Sequence, residues 1–169
     1  KTVLDSFAAD YRDPAKKVPA EMLEKMKAAK LATSGAFYRR QLSFALTDLA
    51  LHTRIKDGAG QDAVQLANQV LGEVFLPMAP NTAFVCYFGH LMGYDAGYYG
   101  YAWAEAIAAD MATVFEKSPR GFQDTEAGRR LRDEIYAVGD TRDATESIEK
   151  FLGRKQSVEP FLKKVGIGK

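Results

Sequence analysis

Apolar residues recur at helical spacing along nearly the whole chain, and no stretch shows the sustained alternation that a half-buried strand requires. That pattern restricts the fold to helices packed on helices. Pro19 and Glu21, followed by Met22, Leu23, Met26 and Leu31, predict a helix that opens on a proline with an acid in its first turn and ends near Leu31. From Ser34, the residues Phe37, Leu42, Phe44, Leu46, Leu49 and Leu51 are too densely apolar for a one-sided surface helix. They predict one buried on most of its circumference, stopped by Lys56, Asp57 and Gly58. Further helices are expected over 61–75, 98–117, 125–138, 143–152 and 157–165. Asp143 and Ser157 stand as N-caps, Glu146 would complete a capping box with Asp143, and Gly153 sits where a helix C-cap wants it. The expectation is an all-α fold of about seven helices in a single domain over 1–169, interrupted by one loop rich in glycine and tyrosine.

Composition removes several classes of function. The 23 Lys and Arg against 22 Asp and Glu leave a net charge of +1, and the basic pairs Lys16-Lys17, Arg39-Arg40, Arg129-Arg130 and Lys163-Lys164 have acids nearby, so no nucleic-acid footprint is expected. Apolar stretches break well before the ~20 residues a membrane helix needs, so no membrane partner is expected either. A lone cysteine, Cys86, forbids an intrachain disulfide and suits a reducing compartment. The cytoplasm is the expected location, with mitochondria open if a leader precedes this sequence. Residues 3–11 read as the middle of an element already under way, so the chain is expected to be a fragment.

Two histidines are present, His52 and His90, and no His-Glu-x-x-His, Cys-x-x-Cys or phosphate-loop pattern occurs. His52 lies near a helix C-terminus, where a structural or surface role is the plain reading. His90 opens the segment His90-Leu91-Met92-Gly93-Tyr94-Asp95-Ala96-Gly97-Tyr98-Tyr99-Gly100-Tyr101, which holds four of the eight tyrosines. On a helical trace Tyr94, Tyr98 and Tyr101, at i, i+4 and i+7, would share one face, with Tyr99 pointing elsewhere. A phenol is a neutral donor at pH 7 and can stabilise an oxyanion without ionising, and a histidine beside it can donate as well. The same residues also fit a plain core in which Gly/Tyr mixing lets two helices approach closely. Asp95 could anchor the loop or simply be solvated.

At this segment the chain resembles the thimet oligopeptidase and neurolysin family of zinc peptidases, which includes oligopeptidase A and dipeptidyl carboxypeptidase. The resemblance is carried by Phe37-Tyr38-Arg39-Arg40-Gln41-Leu42 through Asp48-Leu49-Ala50-Leu51-His52-Thr53, by Phe88-Gly89-His90-Leu91 and by Tyr94-Asp95-Ala96-Gly97-Tyr98-Tyr99-Gly100-Tyr101-Ala102-Trp103. It continues through Gly128-Arg129-Arg130-Leu131-Arg132 and Phe151-Leu152-Gly153-Arg154-Lys155. It implies the C-terminal part of a longer, mostly helical peptidase. In the family the zinc-binding His-Glu-x-x-His helix and a third ligand, a glutamate, lie upstream; the full-length enzyme would hold zinc, and this chain alone would bind none and be inactive.

The resemblance further implies that Tyr101 and His90 are catalytic, with Tyr101 the oxyanion donor. Tyr94, Tyr98, Gly93 and Asp95 would bind substrate in the same wall. Where the thimet branch usually has two glycines before the first tyrosine, this chain has only Gly93, so His90 to Tyr94 is one residue shorter and the loop is expected to be less mobile. The implied partners are short peptides and the rest of the same peptidase, with dimerisation through apolar surface that the rest would cover. The alternative is a non-catalytic helical module that binds peptides or a protein.

Overall fold

A computed structural model describes residues 2–55 and 62–168. Among these are eight α-helices and no strand: α1 Thr2–Phe7, α2 Ala20–Ala32, α3 Ser34–Arg54, α4 Ala63–Val74, α5 Gly100–Glu116, α6 Thr125–Leu131, α7 Ala144–Leu152 and α8 Glu159–Lys164. The all-α expectation holds, with α1 the helix that the sequence pattern did not predict. The stop signals Lys56, Asp57 and Gly58, and Gln61, lie outside the described residues.

The residues gather into two compact units: Thr33–Ala104, and Lys1–Ala32 with Glu105–Lys169. In the first, α3 packs on α4 through Ala50, Leu66 and Val70, with Leu51, Ile55 and Val74 against them. Asp62 caps α4, its carboxylate accepting from the amides of Val64 (2.8 Å) and Gln65 (3.2 Å). A second apolar cluster joins Ala45 of α3 to Phe88 and Tyr98, with Phe44, Phe84 and Leu91 packed around it. Between α4 and α5 the chain makes two 3-10 turns, Phe84–Tyr87 and Gly89–Met92.

α3 departs from expectation. Its buried residues are Ser43, Ala45, Thr47, Asp48 and Ala50, whereas Phe37, Leu42 and Leu46 stand about half exposed. The fully buried positions of α3 are therefore small or polar, with the larger Phe44, Leu51 and Ile55 partly buried beside them.

In the other unit, Asp110 of α5 is fully buried and receives a two-pronged contact from the Arg154 guanidinium, Nη1 at 2.8 Å from Oδ2 and Nη2 on Oδ1. The Ser157 amide donates to the same carboxylate at 2.7 Å. Asp143 caps α7, and Gly153 ends it in the left-handed region at φ 71. The expected capping box is one-sided, because the Glu146 carboxylate is drawn to Lys150 at 2.7 Å. Ser157 lies one residue before the α8 cap Val158 and still accepts from the Glu159 amide at 3.2 Å. The helix expected over 125–138 ends at Leu131 and widens into a π-helical stretch, Arg132–Tyr136, closed by Ala137 N–H to the Arg132 carbonyl at 2.8 Å. The Arg142 guanidinium donates to both the carbonyl and the carboxylate of Glu134, each at 2.8 Å, which holds this wider turn against α7.

Candidate active-site wall

The tyrosines do come together, though not by the helical route that their spacing suggests. α5 begins only at Gly100, so Tyr94 and Tyr98 belong to the irregular segment before it. His90 closes one turn onto Tyr94, whose amide donates to the His90 carbonyl at 2.7 Å. The four-residue spacing is what lets this α-type turn close. The backbone then bends through Ala96, a non-glycine residue at φ 54, where an L side chain costs about 1–2 kcal/mol.

Tyr101 is the centre of the group. Its ring centroid lies 5.0 Å from that of Tyr98, 5.7 Å from Tyr94 and 5.8 Å from His90, and its hydroxyl is 3.2 Å from His90 Nε2. Which of the two donates depends on the tautomer of His90. Tyr94 and Tyr101 are 48% and 50% exposed, whereas Tyr98 is only 9% exposed. Tyr98 packs on Ala45 and Phe88 and donates its hydroxyl to Gln41 Oε1 at 2.8 Å, so it underlies the wall while the other two open to solvent. Burial, and next the neighbouring Tyr101, push the Tyr98 phenol above its usual value against the opposing pull of Arg40, so it stays a protonated donor. Tyr99 turns to Trp103 instead, with centroids 6.4 Å apart.

Two glycines make room for Tyr94. A Cβ on Gly97 would lie 3.3 Å from its ring, and one on Gly100 would lie 3.2 Å from its hydroxyl. Gly93 differs: its φ of 176 lies outside the left-handed region, and a Cβ there would meet nothing within 4 Å. Asp95 is exposed and makes no side-chain hydrogen bond or ion pair with a described residue, so the loop's anchor lies elsewhere. It is Asp48 on α3, whose carboxylate accepts from the amides of Ala96 (2.9 Å) and Tyr98 (3.0 Å). Asp48 and Gln41 are the residues that sequence reasoning missed. Their signal was polar side chains inside a strongly apolar helical run.

Beside the wall lies an open cleft of about 630 Å³ lined by Arg40, Phe44, Phe84, Phe88, His90, Tyr94 and Tyr98. Arg40 lays its guanidinium over the Phe44 ring, 4.8 Å from its centroid. A hollow of about 780 Å³ in the other unit is lined by Ala108, Ala109, Ala112 and the α8 lysines, with no tyrosine or histidine in its lining. Among the described residues no three His, Cys, Asp or Glu side chains gather closely enough to hold a metal. No helix among them is long and apolar enough to cross a membrane.

Convergent neutral phenols beside an aromatic cleft can donate hydrogen bonds to an oxygen that gains negative charge. Residues 1–167 match the model of peptidase family M3, and the chain belongs to that family. It is 36% identical over 167 residues to the thimet-like oligopeptidase of Dictyostelium discoideum, covering 98% of this chain and 24% of that protein. It is 34% identical to the organellar oligopeptidase A, chloroplastic/mitochondrial, of Arabidopsis thaliana, covering 99% and 22%, and 31% identical to the dipeptidyl carboxypeptidase of Salmonella typhimurium, covering 94% and 24%. The chain thus spans about a quarter of the length of the curated relatives it matches.

Proposed function

We propose that this chain supplies one wall of the active site of an oligopeptidase that hydrolyses short peptides. The observation that carries this reading is the grouping of His90, Tyr94 and Tyr101 around one half-exposed surface, with Tyr98 as a buried base. A peptide carbonyl laid against that surface meets phenolic hydroxyls that are neutral at pH 7. As water adds to the carbonyl carbon, its oxygen gains charge, and hydrogen bonds to Tyr101 and Tyr94 strengthen without either phenol having to ionise. His90, 3.2 Å from the Tyr101 hydroxyl, orients that group or offers its own Nε2 proton. Gly93 and Asp95 lie at the exposed rim, where a peptide backbone can pass.

The water, the base that activates it and any zinc belong in this reading to the rest of the peptidase, and no step described for these residues depends on them. The apolar face of α3 with Phe37, Leu42 and Leu46 is where that remainder would pack. A cytoplasmic or organellar location is consistent with the compartments in the relatives' names.

The test is Tyr101→Phe in the peptidase that carries this segment. Turnover should fall by roughly 10²–10³, as when one oxyanion donor is removed elsewhere, with metal content unchanged. Unchanged turnover refutes the role, and unchanged turnover with weakened peptide affinity would favour the helical binding module instead.

A further inference from the structure

The bend that carries the wall is held by little of its own. Within it Gly97 donates to the Tyr94 carbonyl at 3.2 Å and Gly100 to that of Gly97 at 3.0 Å, and no α-helical ladder runs through residues 93–99. Two amides of the bend donate to a side chain on another element, and both end on Asp48: Ala96 N–H on Oδ1 and Tyr98 N–H on Oδ2. Asp48 is 0% exposed, and burying such a group is costly unless its oxygens are satisfied. His52, one turn along α3, sets its Nδ1 3.3 Å from Oδ1 and 2.7 Å from the Asp48 carbonyl, closing the far side. The two amides bracket Gly97, so one carboxylate fixes both the strained Ala96 and the point at which the chain turns toward α5.

We propose that Asp48 is the positioning residue of the tyrosine wall. It sits beneath the bend, with both oxygens turned to the backbone, and acts by fixing the segment on which Tyr94 and Tyr98 are mounted and against which Tyr101 rests. Holding one peptide unit from both sides sets the distance between Tyr94, on the near side of Ala96, and Tyr101, in the first turn of α5. Donors of this kind must be placed to within a fraction of an ångström to favour a developing charge over a ground-state carbonyl. The inference rests on the reading of the wall as the face that meets substrate, and adds to it the residue that keeps the donors in register.

Two measurements test it. In the unaltered chain, amide hydrogen exchange at Ala96 and Tyr98 should be slower than at Asp95 by on the order of 100-fold, although all three lie in one irregular segment. Equal exchange overturns the proposal, and this result stands even if a variant fails to fold. In the peptidase carrying the segment, Asp48→Asn keeps the volume but turns one acceptor into a donor, so one of the two amides loses its partner. Turnover should fall at least tenfold with KM changed less than about twofold, and Asp48→Asn added to the double variant Tyr94→Phe/Tyr101→Phe should be no slower than that double variant alone. Multiplicative losses in that background would show that Asp48 acts independently of the two phenols and would overturn the assignment, as would full turnover in Asp48→Asn. Full turnover in Tyr101→Phe would remove the wall reading itself, while the exchange result would still report whether Asp48 holds the bend.

Discussion

At Gly100 a single methyl group would press on the Tyr94 hydroxyl, at 3.2 Å. Because that hydroxyl is the far end of a half-exposed ring, Gly100→Ala is expected to leave the thermal midpoint within a few degrees while turnover drops severalfold. A scan and a rate measurement on one preparation check this; full activity would mean that the position of Tyr94 is unimportant. Gly93→Ala meets nothing within 4 Å and starts from a φ outside the left-handed region, so it should leave stability as it is. The tyrosines and His90 were legible in the sequence because aromatic residues among glycines stand out. Asp48 and Gln41 were not, because their meaning depends on partners about fifty residues away, Ala96 and Tyr98, that no local pattern reveals.

Helices start and stop here where short-range chemistry tells them to. Gly153 holds φ 71 at the end of α7, and Gly153→Ala should cost about 1 kcal/mol, read as a lower midpoint in denaturant. The Asp110 brace between α5 and the segment before α8 gives a pH signature. The Arg154 guanidinium, with help from the Ser157 amide and against the cost of burial, holds the Asp110 carboxyl below the usual aspartate range. A carboxyl lowered on folding adds stability that is complete above the unfolded value, about 4, and is lost as pH falls through the folded value. Unfolding measured from pH 7 down to pH 2 should therefore show a loss below about pH 4 that is smaller in Asp110→Asn. Asp110→Ala, which leaves Arg154 facing no carboxylate, should cost about 3 kcal/mol at neutral pH, the low end for a broken buried pair because Arg154 keeps partial access to water. Helical periodicity and capping residues made most of these elements readable. The π-helical stretch Arg132–Tyr136 was hidden because it depends on Arg142 reaching back to Glu134, a tertiary contact.

For the molecule as a whole, the chain covers about a quarter of its curated relatives and leaves large apolar side chains at its surface, among them Leu42 and Leu46 at 45% and Trp103 at 63% exposure. Large apolar side chains exposed together are what a covering partner would bury. Produced alone, the 169-residue chain should self-associate, with light scattering giving a mass that rises with concentration. A monomer at every concentration would mean that this surface needs no cover. The all-α class followed from spacing alone, whereas which side of α3 stays exposed could not, because a periodic pattern records where apolar residues fall and not what lies against them.

The claim on which the account turns is that the wall binds the tetrahedral oxygen of the reaction more tightly than the flat carbonyl of the substrate. It is tested by measuring inhibition by a phosphinic peptide, a mimic of the tetrahedral state, alongside kcat/KM for Tyr94→Phe, His90→Gln and Tyr101→Phe in the peptidase that carries this chain. The expected result is a rise in the inhibition constant that follows the fall in kcat/KM in near proportion across the three variants, with KM little changed. Loss of activity with no loss of affinity for the mimic would contradict it.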